Sequence, residues 1–177
     1  MALAAAGTMR VLLVGAGEIA FEIIAIAVGR DFFERIVIAD YDPDAAQRAA
    51  FGDRRLSRAQ VDPAQTDALV DLIHINEVTH VLNAAGPEFA MPVFNASRIA
   101  GVDHLDLTGG ARELQCIQDE GWRANSRLAL VGIGGAISAV VALELLATGV
   151  WAGAGVLAPE AFDSVPFDDL ADSFRTA

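Results

Sequence analysis

Met9-Arg10-Val11-Leu12-Leu13-Val14-Gly15-Ala16-Gly17-Glu18-Ile19-Ala20 runs an apolar strand into a glycine turn and then into a helix, and Ile36-Val37-Ile38-Ala39-Asp40 follows as a second strand ending in a carboxylate. Val11-Leu12-Leu13-Val14 and Ile36-Val37-Ile38-Ala39 are continuously apolar rather than alternating. That is the pattern of strands covered on both faces of a parallel sheet. Strand, glycine turn, helix and strand-end acid, in that order, form the fingerprint of a dinucleotide-binding unit.

Each part of the fingerprint has a physical task. Gly15 lets the chain turn sharply from strand to helix, and Gly17 has no side chain to keep a pyrophosphate away from the backbone. Ala20 takes the third position, where a small residue still lets helix and strand pack. The amides of Ala16, Gly17, Glu18 and Ile19, at the positive end of the helix, are expected to supply the anion site, provided that the Glu18 carboxylate points outward. Asp40 lies twenty positions beyond Ala20. A carboxylate there accepts hydrogen bonds from the adenosine ribose and repels a 2′-phosphate, so the expected cofactor is NAD rather than NADP. Tyr41 beside it is grouped with the site. The competing readings are an ordinary glycine turn and, for Asp40, a helix cap shared with Asp42.

Two further stretches are candidates. Asp62, after the third strand, either approaches the adenine or caps a helix beginning at Pro63. Asn83-Ala84-Ala85-Gly86-Pro87 ends the fourth strand. Its small residues, with Asn83, Ala84 and Ala85 foremost, leave room for the nicotinamide half of the ligand, or else make a tight turn.

The rest of the chain keeps the same alternation. Strands are predicted at 9–14, 35–40, 56–60, 79–84, 103–107 and 127–132, with helices at 17–29, 43–50, 63–76, 88–100, 112–125 and 136–149. Strands alternating with helices predict an α/β fold, a doubly wound parallel sheet of about six strands with helices on both faces. The expected division is a dinucleotide-binding domain over 1–150, closed by the helix at 136–149, and a C-terminal tail over 151–177 packed on it. In the tail, Ala152-Gly153-Ala154-Gly155 reads as loop, while Pro159 and Pro166 limit the remainder to short helical turns.

Composition narrows the function. The 177 residues include 24 acidic and 12 basic side chains, for a net charge of −12. Such a balance argues against nucleic acid or anionic lipid as partner. Every basic residue is arginine, so no lysine Schiff base or lysine general base is available. The single cysteine, Cys116, excludes an internal disulfide and reads as a small core residue. His74, His80 and His104 lack the spacing of metal ligands, and no metal is expected. The most apolar stretches, 19–28 and 136–151, are interrupted by Glu22 and Glu144 and fall short of the ~20 residues of a membrane span. Met1–Thr8 lacks the positive charge and length of a signal peptide, so the expected location is the cytoplasm.

The chain resembles the saccharopine dehydrogenase family, with its saccharopine reductase-like and lysine dehydrogenase-like members. The likeness runs over 9–134. It is carried by Val14-Gly15-Ala16-Gly17, Arg30-Asp31-Phe32-Phe33-Glu34-Arg35, Ile38-Ala39-Asp40-Tyr41-Asp42, Thr79-His80-Val81-Leu82-Asn83-Ala84, Ala100-Gly101-Val102-Asp103-His104-Leu105-Asp106 and Ala129-Leu130-Val131-Gly132-Ile133-Gly134. Residues 149–162 are similar to the family's C-terminal end. The resemblance implies a Rossmann cofactor domain and an NAD(P)-dependent oxidoreductase. It also exposes a departure. Family members place a large α+β substrate domain after the sixth strand, whereas here Ile133-Gly134-Gly135 passes directly into Ala136-Ile137-Ser138-Ala139-Val140, which resembles the closing helix. No catalytic residue is therefore carried over. The cofactor residues Gly15, Gly17, Ala20 and Asp40 are, with Asp62 and Asn83 behind them.

The expected function is cofactor binding without efficient catalysis. One alternative is an active amino-acid oxidoreductase completed by assembly, and another is a non-enzymatic scaffold with a vestigial nucleotide site. His104 and Asp106, at the end of the fifth strand, are the remaining candidates for acid–base work, and Thr108-Gly109-Gly110 for a loop over the same crevice. The helix at 17–29 carries Ile19, Phe21, Ile23, Ile24, Ile26 and Val28, and the closing helix Ile137, Val140, Val141, Leu143, Leu145 and Leu146. Helices apolar on every side need burial on every side, so a homo-oligomer, most simply a dimer, is expected.

Overall fold

The computed structural model describes residues 9–50, 52–107 and 122–175. Among them are seven strands, β1 (Met9–Val14), β2 (Phe33–Asp40), β3 (Leu56–Gln60), β4 (His80–Asn83), β5 (Asp103–Asp106), β6 (Leu128–Val131) and β7 (Gly155–Leu157). They form one sheet in the order β3-β2-β1-β4-β5-β6-β7, and every neighbouring pair is parallel. The helices are α1 (Glu18–Ala27), α2 (Pro43–Ala49), α3 (Thr66–Ile75), α4 (Ala90–Ala100), α5 (Gly135–Ala147) and α6 (Val165–Arg175). This is the doubly wound Rossmann arrangement. The chain starts in the middle of the sheet, winds to one edge, then returns past β1 and winds to the other.

The continuous apolar strands are explained by what covers them. Val11, Leu13, Ile36, Ile38, Leu82, Leu105 and Leu130 pack with α1, α2, α5 and α6 on one face. Leu12, Val14, Val37, Ala39 and Val81 pack with α3 and α4 on the other. Alternate residues of a strand point to opposite faces, so both alternating sets must be apolar when both faces are covered.

Several predicted boundaries shift, each for a local reason. Asp42 caps α2 as the sequence suggests, its Oδ1 accepting from the Asp44 amide at 2.9 Å with Pro43 at the first helical position. Asp62-Pro63 looks identical but does not begin a helix. Asp62 accepts from the Ala64 amide at 2.9 Å through Oδ1 and from the Gln65 amide through its carbonyl, which makes a turn, and α3 begins only at Thr66. Before α4 there is a single 3₁₀ turn over Pro87–Phe89, and Gly101 ends α4 in the left-handed region at φ 69°. The helix predicted at 112–125 and Cys116 lie wholly or mostly outside the described residues.

Beyond 150 the sequence suggests only loop and short helical turns, whereas the structure has β7 beside β6 and the eleven-residue helix α6 packed on α5. Trp151 organises this segment. Its ring stacks on Phe162 at 4.7 Å and on Phe167 at 5.6 Å, and its Nε1 donates to the Asp163 carbonyl at 3.2 Å. The apolar circumference of α5 is thus covered within the chain, by α1 on one side and α6 on another. Ile19 and Phe21 of α1 stay exposed, at 41% and 39%.

Candidate functional site

The carboxyl ends of the central strands are level. Val14 pairs with Ala39 and Asn83, Asn83 with Asp106, and Asp106 with Val131. A crevice at such a rim, where the strand order reverses between β1 and β4, is where open α/β sheets bind ligands. Here the rim holds a cleft of about 320 Å³, floored by the glycine turn at Gly15, Ala16 and Gly17. Asp40, Tyr41 and Asp42, with Ala45 and Pro63, form one wall, and Ala84, Ala85, Gly86 and Phe89 form the other.

The two glycines serve different ends. Gly15 has φ +97°, and a Cβ on it would lie 2.9 Å from the backbone carbonyl of Ala84 and the amide nitrogen of Ala85. Only glycine allows both that conformation and the contact between the two loops. Gly17 heads α1 with no side-chain cap, and a Cβ there would meet nothing within 4 Å. It therefore faces open space with the first amides of α1 beside it, the arrangement that receives a phosphate. Glu18 and Ile19 are exposed, and Ala20 is buried against the core beneath the turn.

Asp40 does more than the sequence reveals. Its Oδ2 accepts from the Ala16 amide at 2.7 Å and its Oδ1 from the Asp42 amide at 2.8 Å, and it is 8% exposed. It thus ties the glycine turn to the end of β2. The sequence pattern counts the Ala16 amide among the free anion donors, but Asp40 occupies it, leaving the amides of the next residues. A carboxylate has about four lone-pair sites, and the two amides take two of them. Helix capping falls to Asp42 alone. Tyr41 is 67% exposed on the rim.

Asn83 lines no part of this cleft. Its side chain is fully buried, with Nδ2 donating to Asp106 Oδ2 at 2.9 Å and Oδ1 accepting from the Ala85 amide at 3.2 Å. Alternation along β4 turns it away from the α1 face, and only the loop after it reaches the cleft. Asp62 is exposed and holds its own turn, while the neighbouring Pro63 lines the cleft. His104 and Asp106 are fully buried rather than facing a crevice. His104 lies edge-on to Phe94 at 5.4 Å. Residues 108–110 are outside the described residues. Among the described residues, no group of three or more His, Cys, Asp or Glu side chains is placed to hold a metal ion, and no helix is long and apolar enough to cross a membrane.

The Saccharomyces cerevisiae saccharopine dehydrogenase (L-Glu forming) superposes with a TM-score of 0.62 at 18% identity, covering 71% of this chain and 27% of that one. The Bordetella bronchiseptica enzyme WbmG, solved in complex with NAD, superposes with a TM-score of 0.51 at 15% identity over 73% of this chain and 55% of that one. At these identities the likeness is one of fold, and this chain spans only about a quarter of the yeast enzyme's length. No curated protein matches by sequence. Between β6 and α5 only Gly132, Ile133 and Gly134 intervene, so no substrate domain is inserted there. Residues 11–133, the glycine turn and the Asp40 wall included, match the model of the saccharopine dehydrogenase NADP-binding domain, and the chain belongs to that family.

Proposed function

We propose that this chain binds a nicotinamide dinucleotide, NAD in preference to NADP, with the diphosphate over Gly17 and the adenosine ribose against Asp40. Gly15, Ala16, Ala20, Tyr41, Ala84 and Ala85 shape the pocket. When bound, the cofactor supplies a hydride donor or acceptor. The chain supplies binding and orientation. The observation that carries the preference is the charge of the cleft. Asp40 and Asp42 line it, and no basic side chain does among the described residues. A 2′-phosphate about 5 Å from one carboxylate, at an effective dielectric of about 20, is repelled by about 3 kcal/mol per unit charge. Screening halves that without erasing it, and ~1.4 kcal/mol is already tenfold in affinity. The family's description names NADP, and the preference for NAD proposed here rests on the acid wall alone.

In this form the chain holds cofactor without efficient turnover, because hydride transfer also needs a bound substrate, an acid–base group in reach and exclusion of water. A second reading is an amino-acid oxidoreductase completed by a neighbouring copy, and the exposed Ile19 and Phe21 on the helix beside the cleft favour a homodimer. Calorimetric titration with NADH and NADPH tests the proposal. NADH is expected to bind at least tenfold more tightly. Equal affinities, or tighter NADPH, overturn the preference. Absence of both at millimolar concentration leaves the scaffold reading.

A further inference from the structure

A buried polar relay lies behind the cleft and plays no part in the binding scheme above. Ser97 of α4, His104 and Asp106 of β5 and Asn83 of β4 are all fully buried. The Ser97 hydroxyl lies 2.9 Å from His104 Nδ1 and bonds the Val93 carbonyl at 3.1 Å. His104 Nε2 lies 3.4 Å from Asp106 Oδ2, the same oxygen that accepts from Asn83 at 2.9 Å. Asn83 then accepts the Ala85 amide. Placing four polar side chains in a core is costly unless they satisfy one another, and apolar residues would hold α4 to the sheet equally well. The relay ends at a loop whose backbone bears on the glycine turn, since the Ala84 carbonyl and Ala85 amide are the groups that a Gly15 Cβ would strike. Asn83 thereby joins the Ala84 amide, which donates to the Val14 carbonyl at 2.8 Å, in holding that loop against the glycine turn, where it forms one wall of the cleft.

From this juxtaposition, and resting on the dinucleotide reading, we infer that Asn83 and Asp106, backed by His104 and Ser97, are positioning residues for the ligand. They hold the wall formed by residues 84–86 at the height a diphosphate requires, without touching it. A relay that only stabilised the core would change the melting temperature and leave the affinity of the folded protein alone.

The test is NADH titration of the full chain, at a temperature where circular dichroism shows each variant folded. Asn83→Leu and Asp106→Leu are expected to bind at least about tenfold more weakly than wild type, a loss on the scale of one misplaced set of hydrogen bonds. Asp106→Asn keeps an oxygen for the Asn83 amide and is expected to bind within about threefold of wild type. If the leucine variants do not fold, Ser97→Ala replaces them, with a few-fold loss expected. Folded variants that bind like wild type overturn the inference, as does an Asp106→Asn that fails as completely as Asp106→Leu. A wild type that binds no NADH instead overturns the dinucleotide reading, so the two failures are distinct.

Discussion

Gly15 and Asp40 each join two loops at the rim, and each makes a quantitative claim. Gly15→Ala places a methyl at φ +97° against the Ala84–Ala85 backbone. Strain of this kind costs about 1–3 kcal/mol, so a lower melting temperature and weaker NADH binding are expected together. Unchanged thermal unfolding would show that the two loops do not bear on one another. Asp40→Ala leaves the Ala16 and Asp42 amides without their acceptor, at about 1–3 kcal/mol if they stay buried. It is also expected to narrow the gap between NADH and NADPH, read by calorimetry. A gap as wide as in wild type would place the discrimination elsewhere. Gly15, Gly17 and Asp40 were legible in the sequence because local backbone chemistry dictates them. The place of Asn83 was not, because its partner Asp106 is 23 residues away and the face it takes depends on strand alternation that only the assembled sheet fixes.

At the scale of elements, α1 and α5 are clasped by a single arginine. Arg30 Nε donates to Glu144 Oε2 at 2.8 Å, a second guanidinium nitrogen reaches the other carboxylate oxygen, and the guanidinium lies 4.9 Å from the Phe174 ring of α6. Bidentate geometry makes the pair stronger than a surface ion pair. Arg30→Ala is expected to lower stability by about 1–2 kcal/mol in urea denaturation, and an unaltered midpoint would show the clasp to be idle.

The opposite rim of the sheet carries a pH dependence. Burial lowers the pKa of His80 below its usual value, against the attraction of Asp103 at 3.5 Å and with a smaller push from Arg127. An unfolded histidine takes its proton at about pH 6.5, the folded His80 only at lower pH. Between those values the unfolded chain holds the extra proton, so stability is present in full above the window and falls as pH drops through it. His80→Gln is expected to flatten this loss between pH 7 and 5.5 in thermal melts. An identical slope in the variant would contradict the assignment.

Strand and helix types were readable from these segments, but β7 was not. Three residues beginning with glycine make too short a pattern, and they join the sheet by pairing with Leu128–Leu130 of β6, which no local spacing encodes.

Taken whole, the molecule is a cofactor domain whose sheet closes directly from β6 into α5. The covering of α5 by α6 explains how so apolar a helix is accommodated within the chain, while Ile19 and Phe21 of α1 remain the large apolar side chains exposed on that helix. Light scattering at micromolar concentration is expected to report a dimer that Phe21→Glu dissociates; a monomeric wild type would remove the assembly reading. The Rossmann class was legible throughout, because it rests on repeated patterns, whereas the substrate was not, because no residue pattern in the chain specifies one.

The central claim, that a dinucleotide lies on the bare backbone at Gly17, has one most direct test. NADH is titrated into wild type and Gly17→Ala, with energy transfer from tryptophan as the signal. A Cβ at Gly17 meets nothing in the folded protein, so the variant is expected to melt within about 4 °C of wild type. It is expected to bind NADH at least about tenfold more weakly, because the methyl occupies the phosphate's approach. Superimposable titrations of the two proteins, or a wild type that never saturates, would contradict it.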